Sequence, residues 1–176
     1  MSEELEIIKK EIISALNENN CRERAVKIYQ TYKETQRIID NLVYEHDRIV
    51  DFIRISKEDG AYNVGGGTED FYNAEKDVIK KQIIEARKEV LSFVERSLSL
   101  LKIDLTQAKR ENDLFAEQGS VMEILESSTE SINRFVELDN RIFLLSSVVD
   151  MLEISPYASV LNSLKQKNDV DDEPKI

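Results

Sequence analysis

Residues 21–57 read CRERAVKIYQTYKETQRIIDNLVYEHDRIVDFIRISK, and their spacing decides the fold. Alternating steps of four and three from Cys21 land on Ala25, Ile28, Tyr32, Thr35, Ile39, Leu42, His46, Ile49 and Ile53. A helix brings positions three and four apart onto one side, so this set is a sustained heptad seam with mostly apolar occupants. A second line, Tyr29, Val43 and Val50 with Gln36 as its polar member, widens the seam on one flank. A widened face suits a bundle of three or four helices better than an isolated two-stranded zipper.

The same pattern continues on both sides of this stretch. Upstream, Ser2 is a helix cap ahead of the acidic Glu3 and Glu4, and Leu5, Ile8, Ile12 and Leu16 form one stripe. Asn17-Glu18-Asn19-Asn20 interrupts it, and Asn20 with Glu23 makes a capping-box-like restart. Downstream, residues 60–67 (GAYNVGGG) read as a flexible connector, after which Thr68 is an N-cap with Glu69 and Asp70 in the first turn.

A third helical segment, 69–118, has the seam Ile79, Ile83, Ala86, Val90, Val94, Leu98, Leu101, Leu105, Ala108, Asn112 and Phe115. Its steps from Ala86 to Leu98 are all four, a stutter that relaxes left-handed supercoiling. Ile84, Leu91, Phe93, Leu100 and Ile103 surround the middle of this helix and predict more than one neighbour there. Gly119 ends the segment, and Ser120-Val121-Met122-Glu123 is a capping box opening a fourth. That segment carries Val121, Leu125, Ser128, Ile132, Phe135, Leu138, Ile142, Leu145, Val149 and Leu152, with two steps of three at Ile132, Phe135 and Leu138.

Ser155-Pro156 stops it. Tyr157, Val160, Leu161 and Leu164 allow a short helical extension over 155–164, and 165–176 reads as a disordered acidic tail. The expected fold is therefore all-α: about four long antiparallel helices over 1–154, arranged as a coiled coil or elongated bundle.

Composition agrees with narrow seams and wide polar surfaces. Gly numbers 5 and Pro 2, Trp is absent, and 34% of residues are charged. The net charge of −11 repels phosphate backbones and anionic lipid, so neither nucleic acid nor a membrane surface is an expected partner. The short basic pairs Lys9-Lys10 and Lys80-Lys81 make no continuous stripe. No apolar run reaches the length of a membrane span, and the acidic start has no secretory h-region. With Cys21 as the single cysteine, the expected location is cytoplasmic or nuclear.

Chemistry finds little to work with. His46 is the only histidine and sits on a seam, so zinc ligation and histidine-assisted nucleophilic catalysis both lack partners. Cys21 is better explained as a small packed thiol. The outline Gly60-x-x-x-x-Gly65-Gly66-Gly67-Thr68 lacks the lysine that a phosphate-binding loop requires, and no apolar strand precedes it. No catalytic, metal-binding or cofactor-binding residue is expected.

The functional expectation is physical: long apolar stripes need covering helices. Ile28, Tyr32, Ile39, Leu42, Ile49 and Ile53 on the second segment are the expected contacts to other helical subunits, in a homo- or hetero-oligomer. Leu91, Val94, Leu98, Leu101 and Leu105 on the third, and Ile132, Phe135, Ile142 and Leu145 on the fourth, complete the set. The chain then serves as a structural or adaptor subunit of a larger complex. The alternative is a coiled-coil chaperone or cofactor holding a client at its helix tips, with Tyr62 and Val64 as the contacting residues.

Overall fold

A computed structural model describes residues 2–58, 67–117, 126 and 129–171. They form five helices: α1 (Glu3–Leu16), α2 (Cys21–Glu58), α3 (Gly67–Glu117), α4 (Thr129–Ile154) and α5 (Pro156–Asp171). No strand occurs among the described residues, so the chain is all-α, as the spacing predicts. The glycine-rich stretch from Gly60 to Gly66, the Gly119 stop, the capping box 120–123 and the tail from 172 lie outside the described residues.

Local chemistry sets the helix starts. The Ser2 hydroxyl accepts the Leu5 amide at 3.2 Å. Asn20 Oδ1 accepts the amides of Arg22 at 3.0 Å and Glu23 at 3.1 Å, which satisfies two of the unpaired donors at the head of α2. Beside this cap the Glu18 carboxylate receives Lys27 Nζ at 2.5 Å, a hydrogen bond that lowers its pKa. Asn20→Ala is expected to lower the unfolding free energy by about 1 kcal/mol, and Asn20→Asp to change it little, both read from urea unfolding curves. α3 begins at Gly67, two residues ahead of the predicted start at Glu69, so Thr68 lies inside its first turn.

α4 and α5 meet at a 70° bend. The Ser155 hydroxyl donates to the Leu152 carbonyl at 2.5 Å and accepts the Ala158 amide at 3.4 Å, while Pro156 takes the first helical position, where its missing N–H costs nothing. α5 runs on to Asp171, beyond Leu164 where the sequence reading ends it. The reason is composition: residues 165–171 are charged but contain no Gly or Pro, and Lys and Gln favour helix.

By packing, the chain divides into two compact units. Unit 1 comprises residues 1–13 and 30–90; unit 2 comprises 14–29 and 91–176. α2 and α3 each contribute to both.

Unit 1 has a core of Leu5, Ile8 and Ile12 from α1, Tyr32, Ile39, Leu42 and Ile53 from α2, and Ile79, Ile83, Ala86 and Val90 from α3. α2 and α3 run antiparallel here, since the Phe52 ring centre lies 4.8 Å from Tyr72 and Lys57 Nζ lies 2.7 Å from Glu69. The α2 seam is widened by buried Thr31 and Ile38 rather than by Val43 and Val50, which stay half-buried and exposed. Along that flank Thr31 and Ile38 are covered, whereas Glu45 and Phe52 further along are exposed.

Unit 2 has a core of Ala25 and Ile28 from α2, Phe93, Val94, Leu101 and Ala108 from α3, Leu138, Leu145, Val148, Val149 and Leu152 from α4, and Ala158 and Leu161 from α5. α3 and α4 are antiparallel. The Arg134 guanidinium lies 6.0 Å from the Phe115 ring centre, Arg141 pairs with Glu111 at 2.9 Å, and Lys102 pairs with Glu153 at 2.9 Å. Partial burial pulls the Arg141 pKa down, but the hydrogen bond to Glu137 and the charge of Glu111 outweigh it and hold the pKa above its ordinary value. The apolar ring expected around the middle of α3 is one-sided: Phe93, Val94 and Ser97 are fully buried within an arc of about 100°, while Ser92, Glu95, Arg96 and Ser99 on the other side are exposed. Ile84, in unit 1, and Ile103 depart from that expectation and face solvent.

Candidate protein-interaction surface

The residues expected to contact a partner are mostly the chain's own core. Ile28, Tyr32, Ile39, Leu42, Ile53, Val94, Leu101 and Leu145 are buried within the chain. Ile49, Leu91, Leu98, Leu105, Phe135 and Ile142 are half-buried. Only Ile132, the first member of the α4 set, is exposed. Its place explains the two steps of three in the sequence: the stripe turns from Ile132 through Phe135 to Leu138 before it enters the core.

Ile132 instead belongs to the opposite side of α4. With about 100° of rotation per residue, Ile132, Val136, Phe143 and Ile154 fall within an arc of about 40°. The core residues Leu138, Leu145, Val148 and Leu152 centre roughly half a turn away by the same geometry. Phe143 is 73% exposed and Ile154 is 83% exposed, so α4 carries one apolar face inward and another outward. Asp139 and Asp150 lie on the same outward line and are exposed. The sequence reading passed over Val136, Phe143 and Ile154. Their signal is the spacing 132, 136, 139, 143, 150 and 154, a second heptad line parallel to the one the core uses.

The other singled-out residues have plain settings. His46 is half-buried at the seam margin, with Nδ1 3.2 Å from Asp47 Oδ1. Cys21 is half-buried in the first turn of α2 as a free thiol. Among the described residues, no group of three or more His, Cys, Asp or Glu side chains is placed to share a metal ion. Tyr62 and Val64 lie outside the described residues. Among the described residues, no single helix is long and apolar enough to cross a membrane. α4 and α5 reach that composition only together, across their 70° bend, and Leu138, Leu145, Val148, Val149 and Leu152 of that stretch are buried in protein.

No protein-family model matches the sequence, and comparison with curated proteins and with solved structures returns no significant match.

Proposed function

We propose that this protein is a non-enzymatic adaptor or structural subunit, cytoplasmic or nuclear, that binds a helix of another protein within a larger complex. The outward face of α4 carries the reading. Large apolar side chains scattered singly on a surface are ordinary, but four on one helical line are not. Covering Phe143 and Ile154 contributes about 1.5–3 kcal/mol each, enough to anchor a helix whose remaining contacts are weak. Asp139 and Asp150 on the same line favour a partner helix with Lys or Arg opposite them. A second copy of this chain would set acidic residues against each other across a two-fold axis, in a molecule of net charge −11.

The test uses the full chain with Phe143→Asp and Ile154→Asp combined. Both side chains are exposed, so helical content and thermal midpoint should not change. Recovery of the co-purifying partner should fall at least ten-fold, together with chemical cross-links from that partner to α4. Undiminished recovery and cross-linking would refute the reading.

A further inference from the structure

Unit 1 has a second apolar surface with a charge pattern of its own. Between α2 and α3 lies a groove of about 690 Å³ floored by Ile49, Phe52 and Ile55 on one side and by Tyr72 and Ile79 on the other. Phe52 and Ile55 are each 48% exposed although apolar neighbours surround them. Outside the groove, Phe71 stands edge-on to Tyr72 at 5.4 Å and is also exposed.

The rim is acidic. Glu45, Asp51 and Glu75 line the groove and are exposed. Arg48 also lines it, and its guanidinium lies 6.0 Å from the Tyr44 ring centre. The nearby cations Arg54 and Lys57 are engaged by Glu58 at 3.4 Å and Glu69 at 2.7 Å. The groove thus offers aromatic and aliphatic area beneath a rim of three carboxylates and one guanidinium, net negative. An apolar strip flanked by negative charge complements an amphipathic helix with a Leu-type stripe and Lys or Arg beside it.

We propose that this groove binds a basic amphipathic helix of a partner protein. Its apolar side would lie over Phe52, Ile55 and Tyr72, and its cations would reach Glu45, Asp51 and Glu75. The stretch from Glu45 to Ile55 extends about 15 Å by helix rise, so the bound helix needs about three turns. The inference rests on the adaptor reading and gives it a second surface with a named partner chemistry. A second copy of this chain is a poor occupant, because its surface carries the same excess of acid.

The experiment is a fluorescence-anisotropy titration of the full chain with a labelled eighteen-residue Leu/Lys amphipathic peptide. The same peptide with Glu in place of Lys is the control. The Lys peptide should bind saturably at one site per chain, at least ten-fold more tightly than the Glu peptide. The triple reversal Glu45→Lys, Asp51→Lys and Glu75→Lys should weaken it ten-fold or more without moving the thermal midpoint, and Ile55→Ser should weaken it independently. A matched reversal in unit 2, Glu95→Lys, Asp113→Lys and Glu117→Lys, should leave it near the original affinity. Equal weakening by both reversals would mean diffuse attraction and would overturn the proposal, as would no saturable binding below millimolar peptide. Self-association of the chain that the rim reversal abolishes would also overturn it, in favour of a second copy. If the peptide fails while Phe143→Asp with Ile154→Asp still strips the partner, the groove falls and the adaptor reading stands. If partner recovery is indifferent to α4 while the peptide binds as described, the groove stands and the α4 surface falls.

Discussion

Replacing Phe93 by alanine is expected to lower the unfolding free energy by about 3–5 kcal/mol, the range for removing a large aromatic from a core that cannot collapse around the gap. Phe93 is fully buried and is among the largest such side chains in the chain. It sits on the buried side of α3, with Val94 and Ser97 also at 0% exposure. A close-packed interior resists shifting to fill a hole, because each movement opens another contact, so relaxation recovers little. Phe93→Leu keeps most of the volume and should lose about 1 kcal/mol. Phe143 is the internal contrast: at 73% exposure, Phe143→Ala should change stability by less than about 0.5 kcal/mol. Urea unfolding followed by circular dichroism measures all three. A loss below 1 kcal/mol for Phe93→Ala would mean that this part of α3 is not packed as described.

The second large effect concerns the ion pair between Arg24 on α2 and Asp104 on α3. The two side chains are only 15% and 13% exposed. Arg24 Nη1 also donates to the Glu18 carbonyl at 3.1 Å, while Nε is buried with no hydrogen-bond partner. Asp104→Ala would leave a largely desolvated guanidinium with a single acceptor. The expected loss is about 2–4 kcal/mol, somewhat under the figure for a fully buried pair because water still reaches both groups. Removing both charges is a different experiment. Arg24→Met with Asp104→Leu replaces the pair with apolar groups of similar size and should recover most of the loss, because neither ion is then stranded. A double-mutant cycle measures the coupling, and simple additivity of the two changes would contradict the pairing.

The α2 seam from Ala25 to Ile53 was legible because helical periodicity is written into residue spacing alone. The same holds for Leu5, Ile8, Ile12 and Leu16 on α1, and for Ile79 to Ala108 on α3. The Ser2 and Asn20 caps were legible because their chemistry is local. What spacing does not encode is which helix covers a stripe. Ile28 and Leu101 read as partner contacts and are covered by this chain's own helices, since a period says that a side chain is buried and not by what. The choice between Ile38 and Val43 as the widening flank has the same origin. The division into two units is also silent in the sequence, because α2 and α3 pass through it without glycine or proline. The acidic groove escaped the reading because its residues come from both α2 and α3: Glu45 and Asp51 from the one, Tyr72 and Glu75 from the other.

The join at Ser155 behaves as the fulcrum of a lever. α5 has 16 residues, and at 1.5 Å per residue its far end lies about 24 Å from the pivot. Each 10° of rotation about residue 155 therefore carries that end through about 4 Å. One hydroxyl, bonded to Leu152 on one side and Ala158 on the other, one locked proline ring and the burial of Ala158 and Leu161 together set the aim of the arm. A small change of angle at this joint is therefore magnified several-fold at the tip while both arms stay intact.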